Sequence, residues 1–214
     1  MLHKTFLFDY KKFAQTAVKL TPSIEKGDYQ ELLAEANHIF SAVTPEKWIL
    51  QDIGTSLEKF SLGEIRDSFD VGYLLLVVLS KYLTYGQFSL DQLGDVRKAL
   101  LHLGWDDKSI DLLIHGEPTN LLIQPDSLHM PVYRQNTAPY YYWISPSQAN
   151  HCGWLSLERI ESLLGQPCFS ISEQEIDSIY NNKGLFEYKK HVQKVFSVLS
   201  EAKTSQKGLF MILS

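Results

Sequence analysis

Residues 71–79 read Val71-Gly72-Tyr73-Leu74-Leu75-Leu76-Val77-Val78-Leu79. The run has no polar face at any helical or strand period. A helix that is apolar all round lies in the interior of a large protein or in a bilayer. A membrane span needs about 20 such residues, and this run falls well short. The spacing therefore predicts a central helix over about Asp67–Leu83, wrapped by other elements.

Helical patterns surround that run. Tyr10, Phe13, Ala14, Ala17 and Leu20 recur at helical spacing, with Asp9 as the cap, and Pro22 is expected to follow the end. Asp28 and Glu31 form a capping box ahead of an apolar stripe, Tyr29, Leu32, Leu33, Ala36, Ile39, Phe40 and Val43. Thr44-Pro45 restarts the chain as cap and first helical residue, followed by Trp48, Ile49, Leu50 and Ile53. Downstream, Ser89 and Gln92 make a second capping box for a helix to about Leu103, stopped by Gly104. Asp106 or Asp107 caps a short helix that ends at Gly116.

Between Pro118 and Leu157 the pattern changes. Only Asp126 and Arg134 are charged there, and five of the eight prolines (118, 125, 131, 139 and 146) fall within it. Tyr133, Tyr140, Tyr141, Tyr142, Trp143 and Trp154 fall there too. No helical period survives that many prolines. Short β-favourable pieces at Asn120–Ile123, Met130–Arg134 and Tyr140–Ser145 point to an irregular segment or a small sheet.

Helical spacing returns at Ser156 with Leu157, Ile160, Leu163 and Leu164, and stops at Gly165. Ser172 and Glu175 form a third capping box before Ile176 and Ile179. Leu185, Tyr188, Val192, Val195, Leu199 and Ala202 mark a last helix, and Leu209–Leu213 after Gly208 reads as a terminal strand. The expected class is mainly α. It is a multi-helix bundle with a Pro- and aromatic-rich irregular or small-β segment at about 118–155, and strand is expected only after residue 118. Residues 1–116 form the helical body. Residues 117–214 carry the aromatic segment and C-terminal helices that pack back on it as one compact unit.

Composition narrows the function classes. Hydrophobic residues make up 44% of the 214, which is enough to build a core without disulfides or metal. The net charge is −5, and the basic residues cluster only at Lys11–Lys12 and Lys189–Lys190, trailing to Lys194. A nucleic-acid surface needs a basic stripe, so no nucleic-acid partner is expected. Phe6-Leu7-Phe8 is too short for the apolar core of a signal peptide. With no span and only two cysteines, Cys152 and Cys168, a cytoplasmic protein with both thiols reduced and no membrane partner is expected.

Nucleotide, dinucleotide, serine-hydrolase, zinc-protease and C-x-x-C motifs are all absent from the chain. The sharpest local string is Asn150-His151-Cys152-Gly153-Trp154. Cys152 has the chemistry of a thiolate nucleophile, but His151 cannot serve as its base because adjacent side chains diverge. His129, His115 or His191 would have to fold back onto it, with Gly153 and the amides before Ser156 as an oxyanion hole. The plainer expectation is a buried, inert Cys152. His129, His151, Cys152 and Cys168 are metal-ligand types, but none are paired two to four residues apart as structural zinc requires. No metal and no cofactor are expected. His38 and His102 sit in helical patterns and are read as surface or satisfied core residues.

The tyrosine run offers a recognition surface. Tyrosine and tryptophan supply large contact area at low entropic cost, and Arg134 is the one basic residue able to anchor an anion there. The expectation is a non-catalytic binding or regulatory protein. Its surface at 129–155, lined by Arg134, Tyr140, Tyr142, Trp143, His151 and Trp154, recognises a protein partner or a small molecule. The alternative is a thiol-dependent hydrolase or transferase with Cys152 as nucleophile and His129 as base.

Overall fold

The computed structural model describes residues 3–43, 65, 68–89, 92–118, 151–166, 173–182 and 188–213. In chain order these form β1 (His3–Phe8), α1 (Tyr10–Glu25), α2 (Gln30–Ala42), α3 (Ser68–Ser80), β2 (Leu83–Ser89), α4 (Leu93–His102) and α5 (Asp107–His115). They continue with β3 (Glu117–Pro118), β4 (His151–Leu155), α6 (Leu157–Leu164), α7 (Glu173–Asn182), α8 (Lys189–Thr204) and β5 (Gly208–Leu213). Among the described residues the protein is mainly helical with one small sheet, in the order β2-β1-β5-β4-β3. No helix among the described residues is long and apolar enough to cross a membrane.

The chain divides into two compact units, each gathered from separate stretches. Among the described residues one unit takes 3–7, 86–89, 92–117, 153–166, 173–182 and 188–213. The other takes 8–43, 65, 68–85, 118 and 151–152. The change of composition at 116/117 is a change in chain character, and both units draw on residues from each side of it.

In the first unit a core forms between α4, α5, α6, α7 and α8 and one face of the sheet. Of the stripe expected of the last helix, Val192, Val195, Leu199 and Ala202 are buried, with Val198 joining them, while Tyr188 at the cap position is partly buried. From β5 the core takes Leu209, Met211 and Leu213, the alternate residues of a strand. Phe210 and Ile212 on the opposite face are buried as well. A strand covered on both faces has no reason to alternate, which is why Gly208–Leu213 reads as a continuous apolar run. The Tyr180 hydroxyl donates to the Ala99 carbonyl at 2.9 Å, satisfying a buried polar tip.

In the second unit α2 packs on both α1 and α3. All ten residues Val71–Ser80 are buried, so the central-helix expectation holds. Tyr82, just past α3, ties its end to α1. Its carbonyl accepts from the Asp9 N–H at 3.0 Å, and its hydroxyl meets Thr16 Oγ1 at 2.6 Å. Its ring lies 5.9 Å from that of Phe13.

Among the described residues side-chain caps form at three helix starts, and two of them, Asp9 and Asp106, are expected from the sequence. Asp9 accepts from Lys12 N–H at 3.3 Å, Asp106 from Ser109 N–H at 2.9 Å, and Ser156 from Arg159 N–H at 3.2 Å. The Ser109 bonds hold the Asp106 carboxyl below its ordinary range. Asp107 is engaged elsewhere, pairing with Arg97, which also reaches Asp111 and bridges α4 to α5. The capping box expected of Asp28 and Glu31 does not form: the cap position of α2 is Tyr29, with no side-chain cap bond, while Asp28 accepts from Gln30 N–H at 3.2 Å and gives its own N–H to the Ser23 carbonyl. Gly104 ends α4 at φ +84, with Trp105 N–H bonded to Leu100 O and its own N–H to Leu101 O, the paired bonds of a left-handed helix stop.

Ser156→Ala is expected to lower stability by about 1 kcal/mol, because an unreplaced N-cap leaves a donor of the first turn unpaired. Ser156→Asp should restore most of the loss in the same denaturant titration. Equal midpoints for all three proteins would show the cap to be idle.

Other expectations differ from the structure as well. Strand is not confined to residues after 118, since β1 and β2 both precede it. Leu83 opens β2 and does not end α3, and Ser89 closes β2 in place of capping α4. The cap position of α4 is Gln92, in the left-handed region at φ 58, with no side-chain cap bond. In each case pairing in the sheet supplies bonds that the local pattern does not contain. Pro22 lies inside α1. The ring removes one backbone donor, and the extra turn places Ile24 in the buried stripe. Thr44-Pro45, Trp48–Ile53, Ser172 and Leu185 lie outside the described residues.

Candidate functional site

Of the Asn150–Trp154 string, His151–Trp154 enters the structure in β4 (His151–Leu155), and Asn150 lies outside the described residues. The strand meets the corner where α5 ends. Gly116 closes α5 at φ 65 and ψ −175, a backbone region open in practice only to glycine. A Cβ on Gly116 would lie 2.5 Å from Met211 Cε and 2.6 Å from Trp154 N. A Cβ on Gly153 would lie 1.8 Å from the His115 carbonyl oxygen and 3.1 Å from Gly116 Cα. Two glycines thus let two backbones meet where no side chain fits. An oxyanion hole needs hydrogen-bond donors, whereas the atom that crowds the Cβ position of Gly153 is an acceptor, the His115 carbonyl oxygen.

Cys152 is 4% exposed, and burial pushes its thiol well above the ordinary range. The neutral thiol is a poor nucleophile. Trp154 is 2% exposed and Leu155 is fully buried, so β4 contributes core side chains from Cys152 onward. Ser156 follows with its hydroxyl committed to α6. Of the histidines considered as bases, His115 stands exposed on the last residue of α5, while His191 is buried on α8. His129, Arg134, Tyr140, Tyr142, Trp143 and Cys168 lie outside the described residues, as does the side chain of His151. Of the predicted lining, only Trp154 has a described side chain, and it sits in the interior.

One polar group escaped the sequence reading. His3, on β1, is 1% exposed. Its Nε2–H donates to the Ile114 carbonyl at 3.0 Å, and the Thr5 hydroxyl stands 3.4 Å from Nδ1. The carbonyl can only accept, so the neutral ring carries its proton on Nε2 and accepts at Nδ1. Burial is the largest cause of a pKa lowered to about 4. The bond to Ile114 opposes that shift, and the charges of His115 and Lys194 add to it. Its signal was the alternation His3, Thr5, Leu7, one face of a strand with two polar members. The signal was hidden because Phe6-Leu7-Phe8 dominates the local composition.

Among the described residues no group of three or more His, Cys, Asp or Glu is placed to hold a metal ion. Arg159 pairs with Glu117 at 2.8 Å, joining α6 to β3 at the surface. Such exposed pairs contribute little and form no charged cleft. Compared with protein-family models, curated proteins and solved structures, the chain matches none.

Proposed function

We propose that this protein is a non-catalytic binding or regulatory protein whose aromatic, charge-poor stretch at 129–155 recognises a protein partner or a small molecule. The observation that carries the choice over the thiol-enzyme alternative is the burial of Cys152, at 4% exposure, with its thiol held protonated. A nucleophile must be reached by substrate and ionised near neutral pH. The recognition reading draws its support from composition: depletion of charge marks the centres of interfaces, and aromatics carry much of their energy. Arg134, Tyr140, Tyr142, Trp143 and His151 are the proposed contacts; Trp154, 2% exposed, is left out of the set. The same reading places the chain in the cytoplasm, where Cys152 and Cys168 stay reduced.

Two measurements test it together. In the folded protein, Cys152 should react with iodoacetamide far more slowly than after denaturation. Tyr142→Ala and His151→Ala should leave the melting temperature nearly unchanged and abolish binding of whatever ligand or protein the wild type retains in a parallel screen. Fast alkylation of native Cys152 would restore the enzyme alternative. A loss of several kcal/mol in stability for both substitutions would place these side chains in the core and remove the recognition surface.

A further inference from the structure

We propose that His3 is an acid-operated latch: one proton on its ring opens the junction between β1 and the last turn of α5 while the rest of the unit stays folded. The latch is a matter of placement. The ring is 1% exposed, and Nε2 is bonded to the Ile114 carbonyl. That carbonyl is one of the last four of α5, which have no partner within their own helix. His3 therefore closes a helix end from a strand more than 100 positions away in sequence.

An added proton must go to Nδ1, the nitrogen facing Thr5 Oγ1 at 3.4 Å. The charged groups acting on the ring from the elements packed against it are His115 on α5 and Lys194 on α8, both cationic in acid. From its own strand comes the neutral Thr5 hydroxyl, and β5, from Gly208 to Leu213, carries no ionisable side chain. An imidazolium in this position gains no anion among the described residues. It reaches water only by leaving Ile114, and a buried charge without a counter-ion is strongly disfavoured. Departure frees the corner at Gly116, where α5 turns into β3.

The sign follows from linkage. A histidine whose folded pKa is lowered from 6.5 to about 4 binds protons less readily folded than open. Closure is fully favoured above the open-state value and weakens as pH falls from there toward the folded one. The opening equilibrium should rise about tenfold per pH unit across that window.

Amide hydrogen exchange on the full chain between pH 7 and 4.5, corrected for intrinsic rates, reads this directly. Protection at residues 3–8 and 114–117 should fall with that slope, while protection at 192–202 stays constant. His3→Gln keeps a donor for the Ile114 carbonyl and cannot titrate, so its protection at 114–117 should be flat with pH. The latch is refuted by pH-independent opening in the wild type, by the same slope in His3→Gln, or by parallel loss at 192–202. Should His3→Gln fail to fold, the wild-type ring decides by NMR. Titration near the unperturbed value without a change at 114–117 refutes the latch, and titration well below it, in step with that loss, supports it.

Discussion

Gly153→Ala is expected to destabilise the protein by at least about 3 kcal/mol, more than most single methyl additions. The added Cβ would fall 1.8 Å from the His115 carbonyl oxygen, and the obstructing atom is backbone rather than the end of a flexible side chain. Relief requires that β4 or the α5–β3 corner move. Either shift disturbs Met211 and Trp154, which already lie within 3 Å of the site a Cβ would take on Gly116. Gly116→Ala adds a second cause, since its φ of 65 with ψ −175 is hostile to any side chain. Gly94→Ala is the control. It sits in the first turn of α4 with nothing within 4 Å of its Cβ position, so helix propensity alone should stabilise it by up to about 1 kcal/mol. Denaturant midpoints for the three variants check the ranking. A Gly153→Ala protein within about 1 kcal/mol of wild type would show that the two backbones do not meet as described.

Leu75→Ala is the second large effect, at about 2–5 kcal/mol. Leu75 is 1% exposed, and its neighbours Leu74, Leu76, Val77, Val78 and Leu79 are all fully buried. α3 therefore has no solvent face toward which it can relax. The truncation leaves a cavity in addition to the lost transfer energy, and the domain's whole stability is of order 5–15 kcal/mol. Leu101→Ala is the matched control, being 43% exposed on α4, and should change stability by less than about 0.5 kcal/mol. Equal losses for the two leucines in chemical unfolding would mean that α3 is exposed in solution, and the central-helix assignment would fail.

The candidate site was legible only in part. The string His151-Cys152-Gly153-Trp154 was singled out from sequence, and the expectation of a buried Cys152 agrees with its position in β4. The role of Gly153 was not readable, because what excludes a side chain there is the carbonyl of His115, 38 residues earlier in the chain. His3 was missed for a related reason. Its partner is Ile114, and no local pattern links the two.

The sequence by itself determined the mainly helical class, the all-apolar α3, the cap at Asp9, the choice of Asp106 or Asp107 for that of α5, the stop at Gly104, the stripe of α8 and the terminal strand β5. A helix bonds each N–H to a carbonyl four residues back, and its caps act within one turn, so pattern and cause share the same short window. Only the tertiary structure decided β1 and β2, the diversion of Ser89 from cap to strand, the meeting of Gly116 with Gly153 and the burial of His3. A strand takes its hydrogen bonds from another part of the chain, and a buried polar group takes its partner from wherever the fold brings one. Neither can be read until distant segments have been brought together.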